Sequence, residues 1–184
     1  MDKAGIEGVM TEMLRKAKIA DVPEIHSLIM AHADKQQMLP KSRADIYENI
    51  RDFYVFEMDG QIVGCGALHV VWEDLAEIKS VAVSESWQRK GIGRQITEMC
   101  LSDMEPLGIK KAFVLTFNTE FFKKLGFKKI SKKKLPQKVW SECVRCPQFP
   151  DCGEEAMMYG GSPASEENTE APKSDASQKN LFNN

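Results

Sequence analysis

The sequence has no apolar run that approaches the roughly 20 residues of a membrane-spanning helix. Its opening stretch, Met1 to Lys18, has no uninterrupted apolar segment of the kind a secretory signal carries. Charge of one sign is also missing: 25 Lys and Arg against 27 Asp and Glu leave a net charge of -2. No global positive field exists to gather phosphates, which argues against a general nucleic-acid or membrane-surface binder. Cysteines number five, an odd count with no regular disulfide framework. Free thiols in a reducing cytoplasm are therefore expected. Internal repeats are absent.

What is present suits a folded domain. The chain has 184 residues, 42% of them hydrophobic, and one domain with extensions fits that length. Residues 1–12 read as a short polar extension and residues 13–159 carry the hydrophobic periodicity. Residues 160–184 are rich in Ser, Glu, Asn, Pro and Gly and cannot bury enough surface to offset chain entropy, so a disordered tail is expected.

Within 13–159 the elements alternate. Leu14 to Lys18 reads as a strand. Asp21 and Glu24 look like a capping box before an apolar face of Val22, Ile25, Leu28 and Ile29. Ser42 and Asp45 suggest a second cap, with a helix to about Arg51. Asp59-Gly60 between Phe53–Phe56 and Gln61–Trp72 predicts a hairpin turn, because Asp-Gly tolerates positive φ. A strand over Ala76–Ser84 precedes a helix whose apolar positions run from Ile92 to Leu107, with Gly108 as its stop. A strand at Ala112–Phe117, a short helix at Thr119–Leu125 and strands at Phe127–Ile130 and Glu155–Tyr159 complete a β-α-α-β-β-β-α-β-α-β-β order. This is an α/β fold, a mixed and mostly antiparallel sheet flanked by helices.

The most informative stretch runs from Val81 to Arg94. A strand ends, a polar loop follows, and Gly91 and Gly93 open a long helix. Backbone N–H groups at a helix start lack internal partners and face the positive end of the helix dipole. Glycines let the main chain approach a diphosphate, and Arg89, Lys90 and Arg94 add positive charge. The third glycine of a dinucleotide fingerprint and the Gly-Lys-Ser/Thr of a P-loop are both missing.

Gln88-x-x-Gly91-x-Gly93 after Ser80-Val-Ala-Val83 resembles motif A of the GNAT acyl-CoA-dependent N-acetyltransferases. The order of elements is similar to that fold as well. The resemblance implies acetyl-CoA as co-substrate, with no metal required. Val81, Ala82 and Val83 would face its pantetheine arm, and Gln88, Arg89, Lys90, Gly91, Ile92, Gly93 and Arg94 its diphosphate. Asn118 and Phe122 would complete the cofactor-binding set. Phe121-Phe-Lys-Lys-Leu-Gly126-Phe127 resembles the family's Phe-Tyr-x-Lys-x-Gly-Phe segment, with Phe122 where many members have a proton-donating tyrosine.

Four further segments together resemble the short N-acetylglutamate synthases of bacterial arginine biosynthesis: Met38–Ser42, Trp72–Ile78, Leu135–Trp140, and Cys143-x-x-Cys146-Pro-x-Phe149-Pro-x-Cys152. That implies acetyl transfer to the α-amine of L-glutamate in the cytoplasm. The alternatives are another amine acceptor or a non-catalytic acyl-CoA sensor. Expected partners are the two small molecules, not nucleic acid or a membrane, with room for a homo-oligomer.

An amine protonated at neutral pH needs a base, and Glu77 is the candidate. The competing reading is an outward strand carboxylate paired with Lys79, two residues away on the same face. A dicarboxylate acceptor needs cations, and Lys41 and Arg43 are candidates, although Arg43 also reads as a solvated helix charge. Cys65, through the main chain beside Gly66, and Thr116 are further substrate-binding candidates. His26, His32 and His69 read as structural or solvated. The thiols of Cys143, Cys146 and Cys152 read as a reduced structural loop in preference to a zinc site. Lysines between Lys123 and Lys134 read as a solvated face.

Overall fold

The computed structural model describes residues 11–136, 143, 144, 146 and 151–161. Its elements are β1 (Glu12–Lys16), α1 (Val22–Ala33), α2 (Arg43–Glu48), β2 (Phe53–Met58), β3 (Gln61–Trp72), β4 (Leu75–Val83), α3 (Ile92–Ser102), β5 (Lys111–Thr116), α4 (Thr119–Lys124), β6 (Lys128–Lys129) and β7 (Glu155–Gly160). They follow the expected order. The seven strands form one sheet, β1-β2-β3-β4-β5-β7-β6. Every pairing is antiparallel except β4 with β5. A parallel pair needs a crossover, and α3 supplies it.

Each face of the sheet is covered. On one side α1 and α2 lay Val22, Ile25, Ile29 and Ile46 on Phe53, Val55, Cys65, Ala67 and Ala82. On the other, Cys100 and Met104 meet Leu68, Ala76, Ile78, Phe122 and Phe127. Ile25 and Ile29 are wholly buried, each contributing about 1.5–3 kcal/mol of transfer free energy. Among the described residues no helix is long and apolar enough to cross a membrane.

Turn chemistry fulfils most expectations. Asp59 and Gly60 have φ of 48° and 80° and close the β2–β3 hairpin. At α2 the Ser42 Oγ accepts from Asp45 N at 3.1 Å, and the Asp45 carboxylate accepts from Ser42 N at 3.2 Å. Two boundaries differ. α3 ends at Ser102 rather than near Leu107, and the chain turns through to Gly108, whose φ is 74°. Asp21 does not cap α1 with its side chain. Its carboxylate accepts from Arg15 at 2.6 and 3.1 Å and from Lys18 N at 2.7 Å. Glu24 accepts from Ile62 N at 3.1 Å instead.

Arg15 also grips Glu57 at 2.7 Å, tying β1, β2 and the entry to α1 together. The Arg15 guanidinium first, then the Lys18 N–H, hold the Asp21 carboxyl below its usual range against the opposing effect of burial. A depressed carboxyl stabilises the fold above its unfolded pKa, and that contribution is lost as pH falls through the folded value. Asp21→Asn should therefore cost about 1.5–3 kcal/mol near neutrality, the scale of a hydrogen bond to a charged group. The gap from the wild type should close as melting is followed below about pH 4. A gap constant with pH would contradict this.

One irregularity shapes the rest. β4 and β5 pair only at Leu75↔Lys111, Ala76↔Ala112 and Glu77↔Phe113. Beyond Glu77 the two strands diverge, β4 to Val83 and β5 to Thr116. The cause lies on the other edge of β4. Its register with β3 shifts between Cys65 and Ala67, so Ser80 and Val81 both oppose Gly66. Ser80 takes φ of 57° to make that bulge. A bulge bends its strand and increases the local twist, which opens a fork at Glu77.

Candidate active site

The fork opens into a cleft of about 1460 Å³ that runs from α2 past β4 to the start of α3. Its two ends differ in chemistry.

At the α3 end, Arg89 and Gly91 have φ of 61° and 86°. Gly91 is the N-cap and has no side chain to cap with, so the first N–H groups of an 11-residue helix meet no capping group. A Cβ on Gly91 would meet nothing within 4 Å, and one on Gly93 only Phe121 and Val83 at 3.5–3.7 Å. The main chain here is open to a phosphate. Gln88, Arg89, Gly91, Ile92, Gly93 and Arg94 all line the cleft. Lys90 does not, and its Nζ lies 4.2 Å above the Trp87 ring. That corrects its expected place: the aromatic face draws the ammonium away. The β4 end is braced by the Val83 carbonyl, which accepts from His32 Nε2 at 2.9 Å and Gln88 Nε2 at 3.1 Å.

Of the three β4 residues expected at the pantetheine arm, Val81 and Val83 line the cleft. The Ala82 side chain belongs to the α1 core and its main chain pairs with Cys65. The Cys65 main chain, expected toward substrate, lies between Val55 and Ala82 in the sheet. Cys65 is fully buried in that core, donates to the Ser80 carbonyl at 3.5 Å, and has its thiol pushed up to about 12 by burial. Gly66 leaves room for α3, not for substrate: a Cβ there would meet Ile96 Cγ2 at 2.6 Å.

The α4 side carries Asn118 and Phe122, expected at the cofactor, and Thr116, expected at the acceptor. Thr116, Asn118 and Phe122 line the cleft. Thr116 Oγ1 accepts from Asn118 N at 3.0 Å, and Asn118 Oδ1 caps α4 through Phe121 N at 3.2 Å. Phe122 is 4% exposed and packs edge-on to Phe121 and Phe127 at 4.9 and 5.3 Å. It fills space and carries no proton.

The other end is polar and mixed in sign. Glu77 sits at the fork and pairs with Lys79 at 3.5 Å, with both side chains only 13–14% exposed. Glu77 thus lines the cleft and pairs with Lys79 at once, and neither side chain points outward. Lys41 and Asp45 line the same wall. The Asp45 carboxyl lies below its usual range because of Ser42 first, with Lys41 and Lys79 adding their charge. Lys41, Asp45 and Lys79 all line the cleft. Arg43 is exposed and does not line the cleft, whereas Asp45, two residues on, does. Cys143, Cys152 and Glu154 line the same cleft as Glu77. The Cys143 thiol is pushed up by burial first, then by Cys152, Glu77 and Glu154. Among the described residues no three His, Cys, Asp or Glu side chains form a group that could hold a metal ion. Lys138, Trp140, Pro147, Phe149 and Pro150 lie outside the described residues.

Sequence reasoning missed Lys79 as a cleft cation, Glu154, and the bracing role of His32. For Lys79 the signal was its period-two relation to Glu77, read only as a partner. For Glu154 and His32 no local signal exists.

A forked sheet with bare helix-start amides at one end and a carboxylate at the fork defines a protein built to hold a phosphorylated ligand beside a second, polar substrate. Residues 49–129 match the model of the acetyltransferase (GNAT) domain family. An uncharacterized N-acetyltransferase of Chlorobaculum tepidum is 41% identical over 79% of this chain and 94% of that protein. An amino-acid acetyltransferase of Mycobacterium tuberculosis is 40% identical over 72% of this chain and 78% of that one. N-acetylglutamate synthase from Neisseria gonorrhoeae, complexed with coenzyme A and N-acetyl-glutamate, superposes with a TM-score of 0.73 at 25% identity over 82% of this chain and 35% of that one. The chain belongs to the GNAT acetyltransferase family and is an acetyl-CoA-dependent N-acetyltransferase.

Proposed function

We propose that this enzyme acetylates the α-amine of L-glutamate, giving N-acetylglutamate for arginine biosynthesis in the cytoplasm. The observation that carries the reading is the sign pattern of the acceptor end. Lys41 and Lys79 line the cleft together with Glu77, which Lys79 meets at 3.5 Å at the fork. A zwitterion with a carboxylate toward the lysines turns its ammonium toward Glu77. A second carboxylate on the acceptor finds the second lysine. The names of the M. tuberculosis and N. gonorrhoeae relatives support the same acceptor class.

Acetyl-CoA supplies an activated thioester carbonyl and a sulfur leaving group. The chain does the rest. Glu77 accepts one proton from the ammonium, directly or through a water, and frees the lone pair that forms the N–C bond. A main-chain N–H on β4 stabilises charge on the carbonyl oxygen. The C–S bond then breaks, and the second amine proton leaves as the amide forms. Solvent protonates the sulfur: a thiol of pKa about 8.5 leaves without much help, so Phe122 need not be replaced in function. Gly91 to Arg94 and Val81 to Val83 hold the nucleotide and pantetheine meanwhile.

Thiol release from acetyl-CoA with a panel of amines tests this. L-glutamate should give the highest kcat/KM, above other amino acids, polyamines and peptide amines. No turnover with glutamate beside turnover with another amine would overturn the acceptor and keep the enzyme. CoA binding with no turnover on any amine would favour a sensor.

A further inference from the structure

The reaction above takes two protons from one nitrogen and gives only the first a destination. A second titratable side chain stands at the fork. His69, on β3, is in register directly opposite Glu77 on β4. Residues directly opposite in an antiparallel pair share a face, with Cβ atoms about 4.5–5.5 Å apart. Both side chains line the cleft. His69 also meets Asp52, the residue before β2, with Nδ1 2.7 Å from Oδ2 and each side chain 26% exposed. Asp52 does not line the cleft.

A carboxylate only accepts hydrogen bonds, which assigns a hydrogen to Nδ1, donated to Asp52. In the neutral ring Nε2 then carries a lone pair. Nε2 points away from Nδ1 across the ring, and among the described residues it makes no hydrogen bond. The Nδ1 edge is turned to a residue outside the cleft wall, so the Nε2 edge is the one His69 presents to the cleft. An acceptor nitrogen that meets Glu77 is therefore within reach of Nε2 as well.

Resting on the glutamate reading above, we propose that His69 is a catalytic residue that takes the second proton from the acceptor nitrogen. Once Glu77 holds the first proton it can take no other. The nitrogen attacks, and the new N–C bond leaves it positively charged. A charged amine leaves carbon more readily than a thiolate does, so the adduct falls back unless that proton goes. Nε2 of His69 accepts it, and the N–H electron pair stays on nitrogen. The C–S bond then breaks with its pair on sulfur. The imidazolium is balanced by Asp52 and passes its proton to solvent. Asp52 is a positioning residue: it fixes the tautomer whose lone pair faces the substrate.

Steady-state kinetics with L-glutamate and acetyl-CoA test this on His69→Asn, whose amide keeps an N–H for Asp52 and offers no base. Its kcat should fall about 10²-fold, while KM for glutamate and Kd for CoA stay within a factor of about two. Added imidazole should restore part of the lost kcat and leave the wild type unchanged. Asp52→Asn should also lower kcat, with no rescue by imidazole, because the ring still fills its place. Should His69→Asn fail to bind CoA, Asp52→Asn carries the test through its kcat. Three results would overturn the proposal while glutamate turnover by the wild type still stood. They are wild-type kcat in either variant, a loss confined to KM for glutamate, and a loss in CoA-binding His69→Asn that imidazole does not restore. Absence of glutamate turnover by the wild type in the amine panel would instead fail the acceptor reading, and this inference with it.

Discussion

Glu77→Gln should lower kcat by about 10²–10⁴, the usual contribution of a positioned general base, and leave the Kd for CoA within a factor of about two. At 1.36 kcal/mol per decade the loss corresponds to about 3–5.5 kcal/mol of transition-state stabilisation. The expectation rests on where the side chain stands. Glu77 is the last β4 residue paired with β5, so it sits at the vertex of the fork. The diphosphate cradle lies beyond Val83 at the far end of the strand. The substitution removes a proton acceptor and one ion pair with Lys79 at 3.5 Å, and touches nothing that holds the nucleotide. Single-turnover rates together with CoA calorimetry separate the two effects. Full turnover in this variant would displace Glu77 from the chemistry, and a parallel loss of CoA affinity would show a fold effect instead.

The order of elements and the glycine-opened helix are legible from the chain, because each rests on local pattern: strand alternation, helix spacing, uncapped amides; Glu77 is pointed to by the resemblance to motif A. The features that make the site work are not local. Ser80 adopts a positive φ that nothing about serine announces, and the bulge depends on the register of β3. The main chain at Cys65 and Gly66 reads as facing substrate because a glycine keeps a strand accessible, yet the space beside Gly66 is taken by Ile96 of α3 and by Val81. The Asp21 capping box was misread because Arg15, six residues earlier on a neighbouring strand, competes for the same carboxylate. The α3 boundary overshot because Met104 and Leu107 continue the apolar spacing through turns. Lys90 carries the right charge in the right loop, yet Trp87 claims it. For Ser80, Cys65 and Asp21 a contact from another element outbids the short-range preference.

Gly66→Ala should both destabilise the fold and weaken nucleotide binding, because one contact serves both. A Cβ at this position would stand 2.6 Å from Ile96 Cγ2 and 3.3 Å from Val81 Cγ2. Neither atom is the far end of a flexible chain: both belong to β-branched residues with stiff χ1. Ile96 is wholly buried, so it has no space to swing into. The helix must lift, and α3 begins with the residues that form the diphosphate cradle. Overpacking of this kind costs about 1–3 kcal/mol, which for a chain of this length lowers Tm by roughly 2–12 °C. The KM for acetyl-CoA should rise while kcat at saturation falls less, since Glu77 lies on the strand and not on the helix. Ile96→Ala alone should also destabilise, by about 2–5 kcal/mol from the cavity it leaves. Together the two changes should cost less than their sum, because the new methyl enters the space the isoleucine vacates. Additive costs in that cycle, or a Gly66→Ala protein with wild-type Tm and CoA affinity, would mean that α3 does not depend on this glycine for its seat on the sheet.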